Sequence, residues 1–327
     1  MNPSPPSQQP DLRPARTLRD GLLRLRALKR MRGARDPSQS LASRFFKGAW
    51  VELIDHARVP EQWSAIAARW VVRAMVAERL GELDARTLRA HGQPRAVVAE
   101  VLSRILDDWP LQPHVRAQLE RASAVVLDES RDWVGPQISR QAPEWAHALS
   151  AQPRAGVTHP AHGRLVLPPY ENHAEHCFAV ALYGWLLAAF VPGADPVDAF
   201  LAGMVHHLQH ASLFDIGWAG DVFLGEQVVD QITRQARQTH LVTLDGELGV
   251  RCEGLLELIG REDTPTAQAF HIADALDRHV EIMWHEQRAG FTMAQALGPY
   301  ELIHPGLAHA LQVRALRELE LEVPHDS

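Results

Sequence analysis

Cysteine is nearly absent from this sequence, which has two cysteines in 327 residues, Cys177 and Cys252. They form no CxxC pair, and both lie in apolar segments with the period of a helix. Neither a disulfide framework nor a zinc site built from cysteine thiolates is therefore supported. Such cysteine usage fits a reducing compartment, and we expect the protein to be cytoplasmic.

Long hydrophobic runs are lacking as well. The longest nearly uncharged run, residues 177–191, is shorter than the about 18 to 20 residues that a bilayer span requires. Residues 1–14 are rich in Pro, Ser and Gln and contain no apolar core segment, so we expect neither a secretory signal nor a membrane anchor there. Hydrophobic residues still make up 46% of the chain, which suffices for a sizeable core in one large domain or two modest ones.

The signatures of several common enzyme classes are missing from the sequence. It has no GxxxxGK[ST] phosphate loop, no GxGxxG after a strand, no GxSxG nucleophile turn and no HExxH helix. It also has no internal repeat at the period of a solenoid protein. Any catalytic chemistry must therefore come from residues that are scattered along the chain.

Basic residues are concentrated near the N-terminus. Residues 1–50 carry eleven Lys and Arg against three Asp, a formal charge of +8, which leaves −15 for the rest of a chain whose total is −7. We expect residues 1–42 to form a flexible basic tail. Its cations in residues 13–35 could contact nucleic acid, an anionic membrane or the acidic remainder of the protein itself, or could remain solvated.

Most of the remaining sequence has the period of amphipathic helices. In residues 62–80, for example, Trp63, Ile66 and Trp70 recur at intervals of three and four residues and belong to one apolar stripe. No convincing alternating strand occurs in residues 43–152. The sequence therefore predicts an all-α protein.

Proline and glycine interrupt the helical pattern in residues 151–169, which indicates a linker or an entry loop. We place a domain boundary near residue 155. This division gives a helical region of unassigned role at residues 43–155 and a second helical domain at residues 156–327.

Histidine and aspartate recur in three groups, each on or beside an apolar segment of helical period. The groups are His173 with His176, His206 with His207 and His210, and His271 with Asp274. Residues three or four apart lie on neighbouring positions of one helix face, so three helices could each direct ligands to one buried point. Neutral imidazoles and a carboxylate that converge in this way can hold a divalent metal, with a position left open for water where the site is catalytic.

The ordered set resembles the HD-domain superfamily of metal-dependent phosphohydrolases, whose signature is His, then His-Asp, then a distant Asp. Residues 171–176, Glu-Asn-His-Ala-Glu-His, look like the Glu-Asn-x-x-Glu-His segment of its 5′-deoxynucleotidase group, and residues 273–276 look like the Ala-Asp-Ala-Leu ending. The resemblance covers about residues 162–290. It implies that a divalent metal held by His176, His206 and Asp274 polarises a phosphoryl oxygen and activates water for attack on phosphorus.

The resemblance also places residues around the substrate. Arg164 would stand at the position of a substrate-contacting arginine, whose planar fork suits a phosphate, and Asp215 at that of a carboxylate near the nucleotide sugar. A solvated arginine and a turn aspartate explain these two residues equally well. Glu175 would lie on the substrate side of the first ligand, where it orients or caps rather than performs chemistry.

Three departures from the family pattern bear on the chemistry. His207 stands where the family doublet has Asp, and a ligand set richer in nitrogen suits Zn, Fe, Mn, Co or Ni better than Mg. His210 replaces the glutamate that serves as acid/base, and it could transfer protons, act as an extra ligand or have no remaining role. Leu165 replaces a tryptophan, which weakens any inference about base or sugar recognition.

Two functions are compatible with this sequence. The first is metal-dependent hydrolysis of a phosphomonoester, with a nucleoside monophosphate as the expected substrate. The second is a catalytically degenerate HD fold that binds a nucleotide, a nucleic acid or a protein partner without turnover. A homodimer is compatible with both. Of the remaining histidines, His240 could be a further ligand, whereas His279 and His285 are expected at the surface.

Overall fold

The computed structural model describes residues 10–34, 36–128, 141–289 and 292–321, and it confirms the all-α architecture. The helices in the first half are α1 (Arg19–Leu25), α2 (Leu41–Asp55), α3 (Pro60–Leu80), α4 (Ala85–Ala90), α5 (Arg95–Asp107), α6 (Pro113–Asp128) and α7 (Glu144–Ala151). Those in the second half are α8 (His173–Leu187), α9 (Pro196–Val205), α10 (Gly217–Leu224), α11 (Glu226–Leu241), α12 (Gly246–Leu258), α13 (Pro265–Ala289), α14 (Met293–Leu297) and α15 (His309–Glu318). Short 3₁₀ helices adjoin them at Arg13–Leu18, Arg26–Lys29, Ala188–Phe190 and Leu208–Ala211. Within these described ranges no helix is both long and apolar enough to cross a membrane.

A small hairpin lies within residues 151–169, where the sequence predicts a linker or loop. Strand β1 (Val157–His159) pairs antiparallel with β2 (His162–Leu165). Arg164 in β2 donates to the backbone carbonyl of Ile216 at 2.8 Å, so the hairpin is tied to the loop before α10. Buried hydrophobic residues before and after the hairpin belong to one continuous cluster. The domain boundary near residue 155 stays a prediction.

Helix α8 lies at the centre of the described structure. All of its residues are buried, and it packs against α2, α7, α9 and α13. A capping box closes its N-terminus: the Asn172 side chain accepts from the Glu175 N–H at 2.9 Å, and the Glu175 carboxylate accepts from the Asn172 N–H at 3.0 Å. Because His173 and His176 belong to this helix, their imidazoles lie in the protein interior.

A close approach of α8 and α9 brings two of the predicted ligands together. A Cβ atom added at Gly203 in α9 would lie 2.4 Å from the backbone nitrogen of Ala181 in α8, which is too close for any side chain. Glycine at this position therefore lets the two backbones come into contact. His206 follows α9 directly, so this contact helps to set its distance from His176.

Residues 10–34 are folded onto the helical body, which differs from the flexible tail expected from their composition. Their apolar residues are almost fully buried, namely Leu12, Ala15, Leu18, Leu22, Leu25 and Leu28. These periodic leucines explain the difference, since burying one such side chain contributes roughly 1.5–3 kcal/mol. Residues 1–9 and Arg35 of the expected tail lie outside the described residues.

The cations of this N-terminal segment pair with acidic groups of the protein. The pairs are Arg16 with Glu320 at 2.8 Å, Arg24 with Glu78 at 3.2 Å, and Arg30 with Glu281. Of the contacts considered for the basic segment, the structure therefore shows the one with the acidic remainder of the chain.

Two histidines expected at the surface are buried. His279 is 0% exposed and His285 is 4% exposed. The expectation was wrong because α13, which carries both, packs against α8, α9 and α15. His285 lies 3.1 Å from the carboxylate of Glu281.

The contact at Gly203 gives a prediction about stability. Gly203→Ala should lower the free energy of unfolding by about 1–3 kcal/mol, because the added methyl group is forced against the α8 backbone. Gly254→Ala in α12 is the matched control, since a Cβ there meets no atom within 4 Å. It should be neutral or stabilising by up to about 1 kcal/mol. Urea denaturation of both variants measures the difference, and equal stabilities would contradict the packing argument.

Candidate metal centre

A buried carboxylate fixes His176 in one tautomer. His176 and Asp277 are both fully buried, and Nδ1 of His176 lies 2.7 Å from Oδ2 of Asp277. Since a carboxylate only accepts hydrogen bonds, the Nδ1–H of His176 is the donor. In the neutral ring Nε2 then carries the lone pair, and this is the form in which histidine binds a metal.

The lone pair of His176 faces two other electron-rich atoms. Nε2 of His206 lies 3.1 Å from it, and Oδ1 of Asp274 lies 3.2 Å from it. His206 donates its Nδ1–H to the carbonyl oxygen of Gly203 at 2.8 Å, so its own Nε2 also carries a lone pair. Two imidazole lone pairs and a carboxylate this close repel one another unless a proton or a metal cation lies among them. The arrangement is typical of ligands that share a cation.

The separations between these donors suit a transition metal. Ligands at about 2.0–2.2 Å from one ion lie about 3.3–3.6 Å apart in a tetrahedron and about 2.8–3.1 Å apart in an octahedron. The two distances at His176 are 3.1 and 3.2 Å, at the border between these ranges. The residues present therefore fit a divalent metal such as Zn, Fe, Mn, Co or Ni.

His207 adds a third imidazole to the group. The donor atoms of His176, His206 and His207 all lie within 4.8 Å of one another. The ring centroids of His206 and His207 are 4.3 Å apart, and Nδ1 of His207 is buried with no hydrogen-bond partner in the described part of the chain. The structure thus brings together three of the predicted ligands, His176, His206 and His207, and places the fourth, Asp274, 3.2 Å from Nε2 of His176.

Burial keeps two histidines of this group, His206 and His207, neutral. Desolvation lowers the pKa values of His206 and His207 well below the ordinary value, and neighbouring imidazoles act in the same direction. Burial by itself would raise the pKa of Asp274, but Arg278 and His176 hold that pKa well below its usual range. Neutral imidazoles and an ionised carboxylate are the forms that bind a metal.

A buried lysine also donates to the Asp277 carboxylate. Lys29 Nζ lies 2.7 Å from the Asp277 carboxylate and also contacts Glu171 and Glu281. Burial would lower the pKa of Lys29, but these three carboxylates raise it above its ordinary value. Glu171, His176 and Asp277 form another group of potential metal ligands, and the Lys29 ammonium is the cation that this group already holds. Lys29, Asp277 and His176 thus form a hydrogen-bonded chain that leads from the N-terminal segment to the first predicted ligand.

A second cluster of donors adjoins the first. His173 is fully buried, and its ring stacks on that of His210 with centroids 4.5 Å apart and an interplanar angle of 12°. Its Nε2 lies 3.6 Å from Oδ2 of Asp215. The ring centroid of His207 lies 4.9 Å from that of His173 and 5.0 Å from that of His176. The predicted catalytic residues His210 and Asp215 therefore lie next to the predicted metal ligands.

Backbone groups fix the loop that carries Asp215. The Asp215 carboxylate accepts from the N–H groups of Ala155 at 2.8 Å and Gly217 at 3.0 Å. Arg164 is exposed, and its guanidinium donates to the carbonyl of Ile216 at 2.8 Å. Arg164 thus holds this loop in place, and its contact with substrate stays a prediction.

Glu175 and His240 occupy positions outside the donor group. The Glu175 carboxylate is buried in the capping box of α8, where it accepts from Asn172, so its contact with substrate also stays a prediction. His240 on α11 lies 3.1 Å from the Ser212 hydroxyl. It belongs to none of the potential metal-binding groups in the described residues.

Three residues of this site, Asp277, Lys29 and His173, receive no specific role in the prediction from the sequence. Asp277 lies three residues after Asp274 on α13, and this spacing could have indicated it. His173 lies three residues before His176 and gave the same signal. Lys29 gave no local signal, because its carboxylate partners are 142 and 248 residues away in the sequence.

Comparisons of this chain with protein-family models, with curated proteins and with solved structures find no match. The resemblance to the HD-domain superfamily therefore rests on the residues and the geometry of this chain alone. Membership of that superfamily stays a proposal.

The bond between Asp277 and His176 gives a prediction about metal affinity. Asp277→Asn should weaken metal binding about 10- to 100-fold. The substitution removes the charged acceptor that fixes His176 in the metal-binding tautomer, and a neutral amide replaces it. Asp263→Asn is the matched control, since Asp263 is exposed and pairs with Arg261 on the surface. Titration of both variants with Zn²⁺ in a calorimeter measures the affinities. An unchanged affinity in Asp277→Asn would show that this bond does not support the ligand.

Proposed function

We propose that this protein is a metal-dependent phosphohydrolase of the HD type that hydrolyses a phosphomonoester, with a nucleoside monophosphate as the expected substrate. The observation that carries the proposal is that Nε2 of the buried His176 lies within hydrogen-bonding range of both Nε2 of His206 and the carboxylate of Asp274. The order of these residues along the chain is that of the HD signature. The buried reduced cysteines fit the cytoplasmic location that we propose.

His176, His206, His207 and Asp274 would hold the metal. The chemistry that a divalent cation supplies to phosphate esters is the polarisation of a phosphoryl oxygen and a lower pKa for a coordinated water. Imidazole donors outnumber carboxylates in this set, which favours borderline transition metals over magnesium.

Arg278 is the cation best placed to bind the phosphate. Its Nη2 lies 3.3 Å from Oδ2 of Asp274, and its side chain lines a cavity of about 310 Å³ together with His271, His304 and Leu307. A guanidinium offers several donors in a planar fork, so it can contact a phosphoryl oxygen while it keeps the bond to Asp274. The cavity beside it gives room for the organic part of a monoester.

His210 can act as the proton acceptor. Its Nδ1–H donates to the carbonyl of Leu213 at 3.3 Å, which leaves a lone pair on Nε2. Burial lowers the pKa of His210, although Asp215 raises it in part. A neutral imidazole next to the ligands is suited to take a proton from water, and it replaces the carboxylate that the HD nucleotidases use.

The second function, a binding module without turnover, receives less support from the structure. Binding of nucleic acid by such a module would require free cations in residues 13–35. Three cations of this segment, Arg24, Lys29 and Arg30, are instead paired with carboxylates of the same chain. A homodimer and a small phosphorylated ligand remain compatible with both functions.

The proposal predicts the result of removing one ligand. His206→Ala should lose one bound metal ion per chain and reduce phosphate release from a panel of nucleoside monophosphates to the background rate, because it removes the imidazole nitrogen that lies 3.1 Å from Nε2 of His176. His240→Ala is the control, since His240 lies outside the donor group. Elemental analysis and a phosphate-release assay provide the two measurements. Full metal content and full activity in His206→Ala would refute the site, and absence of phosphate release from the wild-type protein with every added metal would refute the hydrolase.

Arg278 gives an independent test of phosphate binding. Arg278→Met should reduce kcat/KM about 10- to 100-fold, which corresponds to the about 1.5–3 kcal/mol of a hydrogen bond to a charged group, while the metal content stays the same. Arg261→Met is the matched control, because Arg261 forms an exposed pair with Asp263. A variant that keeps the wild-type kcat/KM would place the phosphate elsewhere.

A further inference from the structure

His173 is a buried imidazole without partners. Its side chain is fully buried, and neither Nδ1 nor Nε2 has a hydrogen-bond partner among the described residues. A neutral imidazole has one N–H and one lone pair, and leaving such groups unpaired in the interior is unfavourable. A bound species that accepts the lone pair would remove this cost.

Two further donors lie beside His173. Oδ2 of Asp215 is 3.6 Å from Nε2 of His173, and the donor atoms of His173, His210 and Asp215 all lie within 4.8 Å of one another. They come from three separate elements: the first turn of α8, the 3₁₀ helix Leu208–Ala211, and the loop before α10. Two backbone N–H groups fix the Asp215 carboxylate, so one donor of the group has a fixed position.

We propose that His173, His210 and Asp215 form a second site for a divalent transition-metal ion. Two imidazoles and one carboxylate are a donor set that zinc and cobalt accept, with a position left for water. His207 lies between this site and the first one, so the two ions would be neighbours. With an ion bound at the second site, His210 would be a ligand and could not act as the proton acceptor. The argument for a second ion uses only the geometry of these three residues. A role of that ion in phosphate hydrolysis rests on the proposed function, because paired ions stabilise the attacking and leaving oxygens in such reactions.

The stacked rings set one requirement for binding. Parallel imidazoles direct their lone pairs along separate planes, so the ring of His210 must turn before it and His173 can reach the same ion. His210 is only partly buried, and its Nδ1 makes a single long bond to Leu213 at 3.3 Å. The turn therefore breaks one weak hydrogen bond, whereas His173 keeps its position in the core.

A neighbouring cation does not cancel the charge of the site. Arg154 lies within electrostatic range of His173 and Asp215, but its Nη1 is 2.9 Å from Oε2 of Glu171, which matches its charge. In the described part of the chain, the ion-pair partner found for Asp215 is the neutral His173. The Asp215 carboxylate therefore retains a negative charge for a cation.

Counting bound Co²⁺ tests the second site. We expect equilibrium dialysis of the EDTA-treated full-length protein to give two Co²⁺ ions per chain for the wild type and one for His173→Gln, in which an amide replaces the ring. Asp215→Asn, which keeps the size of the side chain and an oxygen acceptor, should also bind one ion and serves if His173→Gln does not fold. His114→Gln, exposed on α6, is the control and should bind two. Circular dichroism of the metal-free proteins confirms that the variants compared are folded.

The outcomes separate the two sites. One ion in the wild type that both His173→Gln and Asp215→Asn keep, or two ions in both of these variants, would overturn the second site. One ion in His173→Gln and one in His206→Ala would support both sites. If His173→Gln loses an ion and His206→Ala keeps two, the second site stands and the first one, with the proposed function, fails.

Discussion

The burial of charge within a helical core is the constraint on which this structure depends. Helix α8 is completely buried, yet its first turn carries two imidazoles and a carboxylate, and Lys29 is inserted beside it with 1% of its side chain exposed. Each of these charges needs a partner in the interior, because an unpaired buried charge costs several kcal/mol. Such pairs add little to stability compared with a well-packed apolar core. We expect these ion pairs to specify one packing arrangement of the N-terminal segment against α8 and α13, in which Lys29 contacts Asp277.

This packing arrangement connects the basic segment to the candidate metal centre. Lys29 holds Asp277, Asp277 holds Nδ1 of His176, and His176 directs its Nε2 at His206 and Asp274. The chain is basic in residues 1–50 and acidic in the remainder. In this arrangement the two opposite charges pair within the protein. The cations of the segment neutralise carboxylates that the core could not otherwise contain. The N-terminal segment thus supports the site from outside the part of the chain that resembles HD enzymes.

The all-α class, which the structure confirms, and the proximity of His176 to His206, His207 and Asp274 could be predicted from the sequence because both depend on local periodicity and on the order of residues along the chain. Spacings of three and four residues place His173 with His176, and His271 with Asp274, on neighbouring positions of a helix. The packing of residues 10–34 onto the helical body could not be predicted from composition, because arginine and lysine are equally common in solvated tails. The buried leucines of that segment have a helical period, but their partners lie far away in the sequence. The contact of Lys29 with Asp277 spans 248 residues of sequence. The residues next to Lys29 therefore give no indication of it.

The charge balance around the site bears on which metal it selects. Four carboxylates are matched in number by four cations: Asp274 contacts Arg278, Asp277 contacts Lys29, Glu171 contacts Arg154 and Lys29, and Glu281 contacts Arg30 and Lys29. This network is neutral without a metal ion, and His207 stands where the family's Asp would add a negative charge. A divalent ion at the site would therefore be held by nitrogen donors more than by electrostatic attraction, which disfavours magnesium. A phosphate dianion would supply the missing negative charge, so metal and substrate would each strengthen the binding of the other by the same factor.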